Sequence, residues 1–256
     1  MSEDAAGEQA APQAATRRER NAGRNAGRAA GRPVAVFVAM DEEAQPFVAR
    51  AQAQGDDEVV GGARVRTLQI AGRDVLLVTT GIGLVNAAAA GAVVASGLKP
   101  TAFVSAGSAG GLGDGVGVGD VVVGVSYAYA RADARAFGYV IGQVPGMPAT
   151  FAADQRLVDA ARSSAGGHTV HAGEVVSGDT FVAGEIVDEV RRDFPGVLAT
   201  DMESAALAHT AHLFGVPFVA VRGISDLCGA AEFSAHVDDA ADRAADVVVG
   251  LLQTLD

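Results

Sequence analysis

Val75-Leu76-Leu77-Val78-Thr79-Thr80-Gly81-Ile82-Gly83-Leu84-Val85-Asn86-Ala87-Ala88-Ala89-Ala90, continuing without a charge to Leu98, is the stretch on which the fold turns. A membrane helix needs about 20 consecutive apolar residues, so the length alone raises a span. The Thr-Thr-Gly-Ile-Gly interruption and Asn86 divide it instead into a β-branched strand and an Ala-rich helix from about Leu84 to Ser96. That punctuation reads as a buried β-turn-α unit. Outward from it the same alternation recurs. Val34–Ala39 is almost wholly apolar, as a strand buried on both faces must be. Leu68–Ile70 and Val75–Thr79 flank the turn-forming Ala71-Gly72-Arg73-Asp74. Further strands are expected at Ala102–Ser105, Asp120–Val125, Thr169–Val176, Val197–Thr200 and Pro217–Gly223. Helices are expected at Asp154–Ser163, Glu185–Asp193, Glu203–Phe214 and about Val237–Leu252. The pattern predicts a single-domain, three-layer α/β/α fold with a mostly parallel, twisted central sheet.

Composition agrees with one large α/β domain. Of 256 residues 49% are hydrophobic and 20% charged, with 33 Gly and no Trp, which excludes a disulfide scaffold, a collagen-like repeat and a wholly disordered chain. The formal net charge is −12 and the lone lysine is Lys99, so neither nucleic acid nor an anionic membrane is an expected partner. Cys228 is the single cysteine, which points to a reducing cytoplasm. Residues 1–32 differ from the rest: six arginines, four acids and tetrads such as Asn21-Ala22-Gly23-Arg24 occur with no large apolar residue between Met1 and Pro33. They read as a disordered Ala/Gly/Arg-rich tail ahead of a domain at 33–256. Arg17-Arg18 is not followed by an apolar export segment.

In such sheets ligands bind at the carboxyl ends of strands. The loops expected there are Met40-Asp41-Glu42-Glu43, Gly81-Ile82-Gly83, Ala106-Gly107-Ser108-Ala109-Gly110-Gly111, Ser177-Gly178-Asp179-Thr180-Phe181, Asp201-Met202-Glu203 and Ile224-Ser225-Asp226. Four of the six carry carboxylates, so the candidate site is acidic. Asp41, Glu42, Glu43, Asp201 and Glu203 could equally be first-turn helix acids, which the macrodipole favours. Asp226 is sharper, because no helix signal follows it for about eight residues and capping would not explain it. Gly81-Ile82-Gly83 lacks the third glycine of a dinucleotide fingerprint, and no Walker A sequence occurs. His209 and His212, and His168 and His171, lack zinc-helix spacing, and no Gly-x-Ser-x-Gly elbow is present, so neither a metal site nor a serine triad is expected.

Taken in order, these loops resemble the bacterial 5′-methylthioadenosine/S-adenosylhomocysteine nucleosidases of the nucleoside phosphorylase superfamily. The likeness runs from Val34 to Leu255. It adds Ala136-Phe137-Gly138-Tyr139 with Gly142-Gln143-Val144-Pro145-Gly146, and Arg222-Gly223-Ile224-Ser225-Asp226, to the segments above. The resemblance implies an N-glycosidase without cofactor that releases adenine. Asp226 would protonate or hydrogen-bond N7 of the purine. Glu43 would hold and deprotonate the attacking water, with Ser108 and Arg222 beside it. Glu203, the Met202 backbone and Asp201 would bind the ribose, while Phe181, Val182 and Ser225 would take the purine. It also implies a homodimer in which Phe137, Tyr139 and Pro145 cover the 5′-substituent of the neighbouring subunit's site. Asp41-Glu42-Glu43 would repel phosphate, which favours water as nucleophile. Two departures stand out: Asp201 is one methylene shorter than the Glu usual there, and Leu227–Asp239 diverges. A futalosine or aminofutalosine hydrolase and a non-catalytic nucleoside-binding protein are the alternative readings.

Overall fold

A computed structural model describes residues 32–255; the expected tail lies, up to residue 31, outside the described residues. Strand β1 (Val34–Val38) alternates its side chains between two cores: Ala35 and Phe37 enter one, and Val34, Val36 and Val38 the other. β1 is followed by helix α1 (Asp41–Ala49), the acidic hairpin strand β2 (Ala53–Val60), then β3 (Ala63–Ile70) and β4 (Arg73–Thr79) around a two-residue turn at Ala71-Gly72. Helix α2 (Leu84–Gly97) and strand β5 (Ala102–Gly111) follow. The uncharged stretch is therefore the β4–α2 unit its punctuation predicts.

Strand β6 (Val121–Tyr129) leads into the excursion at 130–150, which holds a short 3₁₀ turn at Arg135–Phe137 and ends in the brief strand β7 (Phe151–Ala152). Helix α3 (Gln155–Ser163), β8 (Val170–Ser177), α4 (Glu185–Asp193), β9 (Val197–Asp201), α5 (Ser204–Phe214), β10 (Phe218–Asp226) and α6 (Ala230–Thr254) complete the described chain. Helices α1, α3 and α6 pack on one side of the sheet and α2 with α5 on the other, which gives the three layers.

The sheet is mixed. β1 runs parallel to β4 and β5, β5 to β10, and β8 to both β6 and β9. The β2–β3–β4 hairpins, β6–β10, β6–β7 and the end of β5 against β9 are antiparallel. Because β5 pairs with β10 and, at Gly110 and Gly111, also with β9, the strands β5-β10-β6-β8-β9 close into a ring. That closure draws the ends of β5, β9 and β10 together.

Four local expectations need correction. The Gly-rich segment at 107–111 is the far half of β5 and not a loop, since only small side chains let neighbouring strands and Glu43 approach this closely. β10 runs on to Asp226 itself. α6 starts at Ala230, seven residues earlier than expected, because Ala230-Ala231-Glu232 are good helix formers without an apolar stripe. β2 and β7 were not expected. β2 is exposed throughout and charged, and it is held by cross-strand pairs such as Arg66 with Asp57 at 2.6 Å.

Gly223 of β10 lies directly under α6, where an added Cβ would sit 2.0 Å from the Ala240 carbonyl oxygen, a backbone atom that cannot swing aside. Gly223→Ala is expected to cost at least about 3 kcal/mol in denaturant unfolding. At Gly62, where a Cβ meets nothing within 4 Å, the same change is expected to cost only about 1–2 kcal/mol, for its left-handed φ.

Candidate active site

One cavity of about 180 Å³ opens where strand ends converge. Ala39, Met40 and Glu43 reach it from beyond β1, Ile82 from beyond β4, Ser108, Ala109 and Gly110 from β5, and Thr180, Phe181 and Val182 from beyond β8. Thr200, Asp201, Met202 and Glu203 come from the end of β9, Asp226 from the end of β10, and Phe233 from α6. None of these lining residues is Arg, Lys or His.

Glu43 sits in the first turn of α1 but is buried and turned inward. Its Oε2 accepts from the Ala39 N–H at 2.8 Å, and its Oε1 from the Ser108 N–H at 2.8 Å and the Ser108 hydroxyl at 3.0 Å. Gly107 makes this possible: at φ 150 its missing Cβ would lie 2.3 Å from Glu43 Oε1. Asp226 is equally fixed. Its Oδ1 accepts from the N–H groups of Cys228 at 2.8 Å and Gly229 at 3.1 Å, and its Oδ2 from the Ser225 hydroxyl at 2.7 Å. Gly229 is the N-cap of α6, so Asp226 does serve the start of a helix after all, while also facing the cavity. Burial pushes the neighbouring Cys228 thiol up to about 11, leaving a protonated packing group and no nucleophile.

Glu203 is the N-cap residue of α5. Its Oε1 accepts from the Gly83 N–H at 3.0 Å at the mouth of α2, and its Oε2 lies 3.6 Å from Arg222 Nη2. Burial raises the Glu203 pKa; Arg222 opposes that shift, and the charges of Asp201 and Glu43 add to it. Arg222 is fully buried beneath the cavity and does not line it. It pairs through Nε with Asp201 Oδ2 at 2.8 Å and donates from Nη2 to the hydroxyls of Ser105 at 2.6 Å and Ser204 at 3.1 Å.

The structure thus brings together Glu43, Ser108, Phe181, Val182, Asp201, Met202, Glu203 and Asp226 around one cavity. Arg222 and Ser225 lie behind it, Arg222 beneath the acids and Ser225 spending its hydroxyl on Asp226. Phe137, Tyr139 and Pro145 stand in the 130–150 excursion away from this cavity, with Phe137 83% exposed. Phe233, whose ring meets Phe181 edge-on at 5.9 Å, was not anticipated. Its one signal was an aromatic in an Ala-rich run that extends α6 backwards. Among the described residues no group of three or more His, Cys, Asp or Glu is arranged to hold a metal, and no helix is long and apolar enough to cross a membrane.

A sequence model described as the phosphorylase superfamily matches residues 33–253, the whole stretch that builds this sheet and cavity. The chain belongs to that superfamily and, within it, to the family of 5′-methylthioadenosine/S-adenosylhomocysteine nucleosidases. It is 40% identical over 230 residues to the nucleosidase of that name from Actinobacillus succinogenes, covering 87% of this chain and 99% of the relative. The nucleosidase from Neisseria meningitidis, solved with methylthio-immucillin-A, superposes with a TM-score of 0.85 at 38% identity, covering 88% of this chain and 100% of that one. The one from S. pneumoniae, solved with the transition-state inhibitor MT-ImmA, gives 0.83 at 34% identity over 88% and 100% of the two chains.

Removing one partner of a buried ion pair strands the other. Arg222→Met is therefore expected to cost about 3–5 kcal/mol in denaturant unfolding. Adding Asp201→Asn to it should recover part of that loss, a coupling that a double-mutant cycle measures.

Proposed function

We propose that this chain hydrolyses the N-glycosidic bond of 5′-methylthioadenosine and S-adenosylhomocysteine, releasing adenine and the 5′-thioribose. One observation carries the reading: Glu43, Glu203 and Asp226 are three buried carboxyls around a single cavity, each anchored by at least one backbone N–H, Glu43 through both of its oxygens. Cleavage of a purine nucleoside produces an oxocarbenium-like ribosyl cation, and anchored carboxylates stabilise developing positive charge without reorganising.

Water oxygen attacks C1′, the C1′–N9 bond breaks, and its electron pair passes to the purine. Glu43 takes the proton of the water, held by Ser108. Asp226 delivers a proton to N7; since Oδ1 is occupied by two N–H groups, that proton belongs on Oδ2. The Ser225 hydroxyl has the Ala109 carbonyl at 3.3 Å as an alternative acceptor. Glu203 and the Met202 backbone take the ribose hydroxyls, and Phe181, Val182 and Phe233 enclose the purine. Arg222 acts from beneath, setting the charge of the acids. Asp226→Asn is expected to lower kcat for adenine release from 5′-methylthioadenosine by at least about 10²-fold, and Glu43→Gln similarly. A wild-type rate in either variant, or no adenine from the wild type, contradicts the assignment.

The site is also unfinished in one chain. Ile82 at its edge is 49% exposed, Val85 76% and Phe137 83%, an apolar set on an acidic chain that calls for cover. We assign that cover to a second copy, in a two-fold homodimer where Phe137, Tyr139 and Pro145 of each subunit close the 5′ end of the other's cavity. The single thiol, buried at Cys228, fits a cytoplasmic setting. Sedimentation should show a dimer at micromolar concentration. Phe137→Ala should raise KM for 5′-methylthioadenosine at least about tenfold, the scale of one lost aromatic contact; a fully active monomer defeats the assembly.

A further inference from the structure

The resemblance gives Asp201 to the ribose, yet the side chain has nothing left to offer a ribose. A carboxylate presents about four lone-pair sites. Asp201 Oδ1 accepts from the Ser177 hydroxyl and from the N–H groups of Glu203 at 3.2 Å and Ser204 at 3.1 Å. Its Oδ2 accepts from the Ser204 hydroxyl and forms an ion pair with Arg222, whose Nε lies 2.8 Å away and donates to the Ser204 hydroxyl oxygen at 3.3 Å. Four donors and the charge of a guanidinium already converge on it, and a ribose hydroxyl would be a fifth donor.

What those donors belong to is the informative part. Ser177 ends β8 and also accepts the Ala205 N–H at 2.8 Å; Glu203 and Ser204 open α5; Arg222 comes from β10. Ser204 is shared, since its hydroxyl donates to Asp201 and receives Arg222 from the other side at 3.1 Å. The carboxylate therefore fixes the backbone of Glu203 directly and fixes the guanidinium that faces the Glu203 side chain. We infer that Asp201 is a positioning residue, which holds Glu203 and Arg222 in register through Ser204 and touches no substrate.

This inference rests on the nucleosidase reading, under which Glu203 must be ionised to accept ribose hydroxyls. The charged groups that act on Glu203 are Arg222 of β10, Asp201 of β9 and Glu43 of α1, with the Gly83 N–H closing the set, and Asp226 of β10 lines the same cavity. Asp201 raises the proton affinity of Glu203, both as a nearby negative charge and as a competitor for Arg222. Removing its charge lets Glu203 ionise at lower pH, so the acidic limb of kcat/KM moves down.

The test compares pH profiles of adenine release from 5′-methylthioadenosine for wild type, Asp201→Asn and Ser204→Ala. Activity in the wild type establishes the underlying reading separately. For Asp201→Asn the expected result is kcat lowered about 10–100-fold, the scale of small misplacements, with KM within about threefold and the acidic limb shifted to lower pH. Ser204→Ala, which leaves every cavity-lining side chain in place, should change kcat in the same sense with KM intact. Asp201→Asn that raises KM at least about tenfold with kcat and the acidic limb unmoved would make Asp201 a ribose ligand and overturn the inference. If Asp201→Asn does not fold, Ser204→Ala decides alone, and wild-type kcat in that variant refutes the network.

Discussion

The buried guanidinium of Arg222 is the interaction on which the rest depends. A charge fully removed from water is tolerated only if opposite charges and hydrogen-bond acceptors surround it. Here Asp201 and Glu203 supply charge, Ser105 and Ser204 supply hydroxyl oxygens, and the Ser108 carbonyl lies at 3.4 Å. Those five residues come from β5, from the end of β9 and from the start of α5. Satisfying one cation therefore fixes the relative placement of the strands that close the ring. It also places acids at the floor of the cavity with their charge partly offset from below.

The consequence for chemistry is a division of charge. The cation is sealed under the site and the side chains that line the cavity include acids but no base of the Arg, Lys or His type. Such a cavity favours a developing ribosyl cation and disfavours an incoming anion. The start of α2 adds to this selectivity in a specific way: two N–H groups at its mouth are taken by carboxylates, Gly83 by Glu203 and Leu84 by Asp179 at 2.8 Å. Two negative charges thus stand where an anion would approach this helix start.

Much of this was legible in the residues because strand-end loops were the right places to search. Asp226 stood out as an acid directly after an apolar strand, Glu43 was one of several acids following another and was singled out by the resemblance, and both line the cavity. What could not be read was direction. First-turn acids and site acids share one pattern, and only the missing Cβ of Gly107 shows why Glu43 turns inward. Arg222 and Ser225 sit in the right motif but point behind the cavity, since alternation along β10 is interrupted by an irregularity between Ile224 and Asp226. β2 carried no apolar period and is held by its hairpin partner, and Phe233 fell in a segment whose helix lacks a start signal in its sequence.

Water, and not phosphate, is the nucleophile such a cavity favours, because Arg222, the buried cation beneath it, is already paired. The direct measurement is the sugar product formed from 5′-methylthioadenosine in concentrated phosphate buffer. Free 5-methylthioribose, at a rate independent of phosphate, is the predicted result; 5-methylthioribose 1-phosphate among the products would contradict it.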